Sequence, residues 1–260
     1  MPINHLNNLS YFSFNHFPPE RVGQAIFTRQ GGCSPEPWSS LNLGGTVGDS
    51  DENVIFNKKL LFNSIQRPFE SSFDVWQVHS TDIVCTQEPR PVHQPHVKAD
   101  GIITNKPEIT LLMRFADCVP ILLYDPVKHV AGLVHAGWQG TVKMTAKFAV
   151  AEMVKTYQCQ PDDMIAGIGP SIGPDHYEVG QDVIAQVKLA FGEFARDLLT
   201  QKSERIYFNL WKANEKILKL AGVNHIEIAE ICTACNLSDW YSHRAEKGKT
   251  GRFGAVIYLK

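Results

Sequence analysis

The chain has 260 residues, 43% of them hydrophobic and 20% charged, with a formal net charge of −2. That length and balance fit one large folded domain or two small ones and exclude the basic footprint of a nucleic-acid-binding protein. No apolar run reaches the roughly 18 residues of a membrane span, and the opening Met1-Pro2-Ile3-Asn4-His5-Leu6 lacks the charged-then-apolar pattern of a signal peptide, so no membrane contact and a cytoplasmic location are expected. Cys33, Cys85, Cys118, Cys159, Cys232 and Cys235 are scattered along the chain. They read as reduced thiols or ligands rather than a disulfide framework.

Gln24 to Arg29 reads as a short strand running into a long Gly/Ser/Pro/Asn loop that ends near Gly45. Loops of that length in a compact domain are often functional. Asp49-Ser50-Asp51-Glu52 opens a helix reaching about Gln66, with Asp49 and Glu52 spaced as a capping box and Val54, Leu61 and Ile65 as its apolar stripe. Phe73 to His79 alternates as a strand, and Asp82 to Thr86 is its expected hairpin partner. Residues 87–98 read as loop; His93 and His96 stand three apart there, but the neighbouring prolines argue against the helix that spacing would need to bind a metal. Asp100 to Thr104 is another strand.

Residues 111–141 carry the densest chemistry. Two apolar runs of strand length flank Asp125-Pro126, one containing Cys118 and the other His135. The second ends in a glycine turn, Gly137 to Gly140, that opens a helix over 142–157 with Val142, Ala146, Ala149, Val150, Met153, Val154 and Tyr157 on one face. Met164 to Ile168 is a short strand followed by the stiff loop Gly169 to Pro174. Gln181 to Phe191 and Leu210 to Ala221 are helical, with Gly222 suited to cap the second. His225 to Ala229, Trp240 to Arg244 and Phe253 to Leu259 complete the strands. Helices and strands mix without strict alternation, repeat or linker, which points to a single α+β (mixed α/β) domain over residues 1–260.

Three residue sets can carry chemistry. His79, Cys118 and His135 offer two imidazoles and a thiolate, a zinc ligand set whose fourth position stays open for water or substrate; a buried structural cysteine beside unrelated histidines fits the composition equally well. Cys118 with His135 also forms a possible metal-free nucleophile–base dyad, for which Asp117 is a poor orienter because adjacent strand residues point to opposite faces. His225-Ile226-Glu227 followed by Cys232-Thr233-Ala234-Cys235 only superficially matches a zinc deaminase pattern. No proline precedes Cys232 and the gap is too short, so a structural role is favoured. The helix start near Thr141 offers free backbone N–H groups, for which phosphate is a sensible occupant.

Together these residues resemble the YfiH family, known both as multicopper polyphenol oxidoreductase (laccase domain) and as zinc-dependent purine nucleoside phosphorylase. The resemblance runs from about Phe27 to Leu259. It rests on Phe27-Thr28-Arg29-Gln30-Gly31-Gly32, Ser40-Leu41-Asn42-Leu43-Gly44, Gln77-Val78-His79, Ala116-Asp117-Cys118-Val119-Pro120 and Val134-His135-Ala136-Gly137-Trp138. It continues through Gly169-Pro170-Ser171-Ile172-Gly173-Pro174, Ser242-His243-Arg244 and Thr250-Gly251-Arg252. Two departures stand out: Gln139 where the family usually has Arg, and Asp175-His176 where it often has Cys.

The resemblance implies a four-layer α/β/β/α sandwich, similar to the catalytic domain of cytotoxic necrotizing factor toxins. It implies zinc held by His79, Cys118 and His135, with Cys118, His135 and Asp117 at the reacting centre. Arg29, Asn42 and Arg244 match polar family motifs that would orient substrate. The implied reactions are phosphorolysis of adenosine, inosine and methylthioadenosine, with purine nucleoside and phosphate as partners, and hydrolytic deamination of adenosine. Copper is disfavoured, because the 10 histidines include no H-x-H pair. The competing enzyme class is a Cys118/His135 thiol hydrolase or amidase on a cell-wall precursor or peptide-like substrate. A scaffold with a purely structural zinc is the non-enzymatic alternative. The oligomeric state is left open, a monomer being compatible with the sequence.

Overall fold

Alternating apolar residues dictate how the layers stack, because successive strand side chains face opposite sides of a sheet. The computed structural model describes residues 3–6, 8–91 and 93–260. Its strands are β1 (Asn4–Leu6), β2 (Leu9–Phe12), β3 (Val22–Phe27), β4 (Ser72–Phe73), β5 (Ile83–Cys85), β6 (Gly101–Thr104), β7 (Thr110–Phe115), β8 (Val119–Asp125), β9 (Val130–Ala136), β10 (Ile165–Ile168), β11 (Leu199–Lys202), β12 (Arg205–Phe208), β13 (His225–Ile228) and β14 (Phe253–Leu259). Its helices are α1 (Asp51–Ser64), α2 (Trp138–Val142), α3 (Thr145–Tyr157), α4 (Gln181–Phe191), α5 (Ala195–Leu198) and α6 (Leu210–Leu220).

One sheet runs β1-β2-β3-β14-β7-β4 and the other β13-β10-β8-β9-β6-β5, with β11-β12 as a separate hairpin. Leu111, Met113 and Phe115 of β7 meet Leu122 and Tyr124 of β8 and Leu133 of β9 in a core between the two sheets. The intervening residues face outward. Leu112 and Val256 pack on Leu61 and Phe62 of α1, while Ile121, Leu123 and Val134 pack on Ala149, Met153 and Ile217 of α3 and α6. The result is helix, sheet, sheet, helices: the α/β/β/α sandwich, a mixed α+β architecture. None of the helices among the described residues is long and apolar enough to cross a membrane.

Several local expectations change. Phe73 to His79 and Asp82 to Thr86 do not form a hairpin; β4 pairs with β7 in one sheet and β5 with β6 in the other. Asp74, 2% exposed, draws the chain into a cluster of cations, and His79 adopts a left-handed backbone (φ 59°), so no strand can continue. Trp240 to Arg244 is a turn: the Ser242 hydroxyl accepts from Ala245 N, and Glu246 Oε2 accepts from Ser242 N. The first helix is capped by Ser50, which accepts from Asn53 N, rather than by Asp49. Asp49 instead accepts from Asn42, Asn53 and Ser34 side chains. The predicted helix over 142–157 is broken by Met144 at φ 64°, separating α2 from α3.

Candidate metal centre

Sheet topology brings the chemistry to one end of β8, β9 and β6. These strands are neighbours and antiparallel, with Pro120 opposite His135 and Gly101 opposite Val134. The starts of β8 and β6 therefore flank the end of β9. Cys118 immediately precedes β8, Asp100 immediately precedes β6, and His135 is the penultimate residue of β9. His79 arrives separately, on the connection between β4 and β5.

Asp100 organises this end. Its Oδ1 accepts from His135 Nδ1 at 2.8 Å, and its backbone carbonyl accepts from His135 N at 2.8 Å. Its Oδ2 accepts from Val78 N, Ser80 N and the Ser80 hydroxyl at 3.1, 2.6 and 3.1 Å. One carboxylate thus fixes the tautomer of neutral His135, leaving the Nε2 lone pair available to a metal, and clamps the turn that presents His79. Lys143 Nζ donates to the His79 carbonyl at 3.0 Å.

His79, Cys118 and His135 converge with their ligand atoms all within 4.8 Å of one another. Cys118 Sγ lies 3.9 Å from His79 Nε2, and the two imidazole centroids are 5.0 Å apart. Zinc–sulfur and zinc–nitrogen bonds at tetrahedral angles put neighbouring donors roughly 3.4–3.8 Å apart, so this trio needs little movement to hold such an ion. His135 is buried, whereas His79 and Cys118 are half-buried, which leaves an approach from one side. Gly137 makes room: a Cβ there would lie 2.8 Å from Cys118 Sγ and 3.1 Å from His79 Cδ2.

The electrostatics favour a charged pair. Burial alone would raise the Cys118 thiol, but the His135 charge and hydrogen bonds from both histidines bring it down to about 6. Burial would lower His135, yet the Cys118 charge and the Asp100 hydrogen bond lift it to about 9. Asp100, despite its burial, is held down to about 2 chiefly by His135. A thiolate is therefore ready as a metal ligand near neutral pH, and binding displaces a proton from His135.

Asp100→Asn is expected to lower metal affinity about 10–100-fold, because an amide must point an N–H at either His135 or the 78–80 turn. Chelator competition measures this; unchanged affinity in a folded variant would show that Asp100 does not support the centre.

The other expected site residues separate into two kinds. Asp117 (φ 81°) turns away from the trio, and its carboxylate accepts from Thr233 Oγ1 at 2.7 Å and Arg244 N at 2.6 Å. Arg29 is committed to the Ser39 and Leu237 carbonyls and Glu246, and stacks on Tyr241. Asn42, fully buried, bonds Gly44 N, Arg252 N and Asp49. All three spend most of their hydrogen-bonding capacity on bracing loops. Arg244 is different: it is exposed, lies over Tyr177 at 5.1 Å, and donates only Nη1 to Glu178 O. Thr141, buried, receives Asn214 Nδ2, and α2 spans five residues, so that helix start offers phosphate little. Glu227 accepts from Asn15 N and His16 N, on an edge strand, rather than joining a metal with the cysteines that follow it.

Sequence reasoning missed Asp100, Lys143 and Arg252. Asp100 carried one signal, a carboxylate opening an otherwise apolar strand. Arg252 stands in the Thr-Gly-Arg motif, and its charge acts on Cys118 and Asp117. Lys143 carried no sequence signal.

A family described as multi-copper polyphenol oxidoreductase laccase matches residues 23–260. The chain is 34% identical over 243 residues to purine nucleoside phosphorylase YlmD of Bacillus subtilis, covering 90% of this chain and 87% of that protein. It is also 34% identical over 243 residues to a purine nucleoside phosphorylase of Deinococcus radiodurans, covering 93% and 91%. Among solved structures, the Bacillus licheniformis hypothetical protein YfiH superposes with a TM-score of 0.92 at 30% identity, covering 100% of this chain and 99% of that one. YlmD from Geobacillus stearothermophilus does so with 0.92 at 31%, covering 99% and 98%.

Proposed function

The chain belongs to the multi-copper polyphenol oxidoreductase laccase family, and from that premise we propose that it is a zinc-dependent purine nucleoside phosphorylase with a second, adenosine-deaminating activity. The observation that carries the reading is the convergence of His79, Cys118 and His135 around one point, braced by Asp100 and open on one side. The purine nucleoside phosphorylase names of full-length relatives support the substrate class.

Two imidazoles and one thiolate suit zinc, which when bound supplies Lewis acidity and an activated water. Zinc is preferred to copper because, among the described residues, no third histidine joins the two imidazoles of the trio. His135, oriented through its bond to Asp100, would offer Nε2 to the ion, and Cys118 would offer its thiolate. Arg244 and Lys143 carry exposed positive charge near the centre and suit the phosphate dianion; Asp117 holds the Arg244 backbone in place.

In phosphorolysis, a phosphate oxygen forms a bond to the ribose C1′ while the C1′–N9 bond breaks and its electron pair leaves with the purine, which takes up a proton. The products are the free base and the sugar 1-phosphate, which is ribose 1-phosphate from adenosine or inosine and 5-methylthioribose 1-phosphate from methylthioadenosine. In deamination, water adds at C6 of adenosine and ammonia departs, giving inosine. Adenosine, inosine and methylthioadenosine are the proposed substrates for the first reaction.

The test is product analysis by chromatography, with zinc content measured on the same sample. Adenine formed only when phosphate is present supports phosphorolysis, and inosine formed without phosphate supports deamination. Zinc-loaded protein that yields neither would overturn the reading.

A thiol hydrolase is the second reading, favoured by the Asp100–His135 hydrogen bond, the Cys118 sulfur within 4.8 Å of a His135 ring nitrogen, and the depressed thiol pKa. It requires full activity in metal-stripped protein, the opposite of what a metal-dependent phosphorylase shows; alkylation of Cys118 would abolish either activity.

A further inference from the structure

A second ligand cluster lies outside the site described above. Asp175, His176, Cys232 and Cys235 each offer a ligand atom, and all four atoms lie within 4.8 Å of one another. The two cysteines form a C-x-x-C pair on the loop after β13, and Asp175-His176 sit on the loop between β10 and α4. These loops already run side by side: Ser171 bridges Cys232, Ser171 N donates to Ile231 O, and Thr233 N donates to Ser171 O.

The four ligand atoms gather around one point. Both sulfurs converge on one imidazole nitrogen: His176 Nδ1 is 3.4 Å from Cys235 Sγ and 3.8 Å from Cys232 Sγ. Asp175 Oδ2 is 3.7 Å from Cys235 Sγ, and Asp175 Oδ1 is 3.2 Å from His176 Nδ1. Zinc bonded to two thiolates, an imidazole and a carboxylate would set such edges at roughly 3.4–3.8 Å. The wall of the cluster is built for sulfur. Gly173 N donates to Cys232 Sγ at 3.1 Å. A Cβ on Gly173 would meet Asp175 Oδ1 at 2.7 Å, Cys232 Cβ at 3.0 Å and Cys232 Sγ at 3.1 Å. Cys232 is buried, whereas Asp175, His176 and Cys235 are exposed, so an ion has a way in.

We propose that Asp175, His176, Cys232 and Cys235 form a second, structural zinc site that clamps the loop after β10 to the loop after β13. Mixed thiolate, imidazole and carboxylate donors select a borderline-soft divalent ion. Four protein ligands leave no open position, so the ion holds structure and takes no part in turnover. What it holds is consequential. Thr233, between the two cysteines, donates to Asp117, and Tyr177, next to His176, carries the Arg244 guanidinium. The second ion thus stiffens the wall of the first centre.

The test uses the full chain carrying Cys118→Ala, so that the first centre contributes nothing. After washing with a weak chelator, this protein is expected to retain about one zinc per chain, and Cys235→Ser added to it is expected to remove that zinc. Cys235 is exposed and its recorded side-chain contacts lie within the cluster, so the substitution leaves no core cavity. Cobalt added to the Cys118→Ala protein, with all four proposed ligands intact, is expected to give the intense visible absorption of a tetrahedral thiolate site. No retained zinc and no such absorption would overturn the proposal, as would an intact mass showing a Cys232–Cys235 disulfide in the purified protein. Because the readout is metal content rather than turnover, failure here is distinct from failure of the phosphorylase reading.

Discussion

The Cys118→Ala protein is expected to fold normally, to lose the metal of the His79/Cys118/His135 centre, and to lose phosphate-dependent nucleoside cleavage by about 10³-fold or more. The size follows from the chemistry removed: a bound metal contributes several kcal/mol of stabilisation to developing charge, and each 1.4 kcal/mol is about tenfold in rate. Cys118 supplies the only sulfur of the trio, and neither imidazole can move to replace it, because His135 is tied to Asp100 and His79 to the turn that Asp100 clamps. The loss to folding is small, since Cys118 is only half-buried at the open end of the sheets. In metal-free wild-type protein, iodoacetamide should alkylate Cys118 with a pH midpoint near its thiol pKa of about 6; metal should protect it. Wild-type turnover in Cys118→Ala would remove the metal centre from the mechanism.

The largest effect on stability is expected from Asp74→Asn. Asp74 is 2% exposed and faces three cations, Arg90 at 2.7 Å, Arg114 at 3.4 Å and Lys58 at 3.7 Å, together with the His96 imidazole at 3.1 Å. Burial would raise its pKa, but the His96 hydrogen bond and the charges of Arg114 and Lys58 outweigh it and hold the carboxyl far below the usual range. Removing the one negative charge leaves buried cations unpaired, which costs about 3–5 kcal/mol. The sign of the pH dependence follows from linkage. A depressed folded pKa gives stability that is fully present above the unfolded value of about 4, and that is lost as pH falls through the folded pKa. Urea unfolding should therefore show a wide gap between wild type and Asp74→Asn at pH 7 that narrows below about pH 4. A gap under about 1 kcal/mol at pH 7 would mean the cluster behaves as a solvated surface network.

The fold was legible where burial is local and periodic. Ile121 to Tyr124 and Val130 to Val134 are apolar on both faces because each strand is covered by a sheet on one side and helices on the other. The α3 face was readable from Ala146, Ala149, Val150 and Met153. What failed was governed by distant partners. Nothing in Phe73 to His79 shows that Asp74 will be drawn to Arg90 and Arg114, or that Val78 and Ser80 will bind Asp100 twenty residues on. The hairpins β1-β2 and β11-β12 have too little apolar alternation to stand out from loop. At the site, residue types made the trio one candidate among several and the family resemblance singled it out, but neither pointed to the brace. The helper of His135 is Asp100, from a strand paired in space, while the sequence neighbour Asp117 serves Thr233 and Arg244 instead. Arg29 and Asn42 looked like substrate contacts because they are polar residues in loops, yet both are largely enclosed and bonded to the protein.

The most direct test of the central claim is a phosphorus NMR spectrum recorded while metal-replete protein acts on adenosine in phosphate buffer. Formation of the C1′–O–P bond predicts a growing sugar-phosphate resonance that matches the adenine released mole for mole and is absent in Cys118→Ala. Adenosine consumed with no new phosphorus resonance, or an equal signal from Cys118→Ala, would contradict phosphorolysis at this centre.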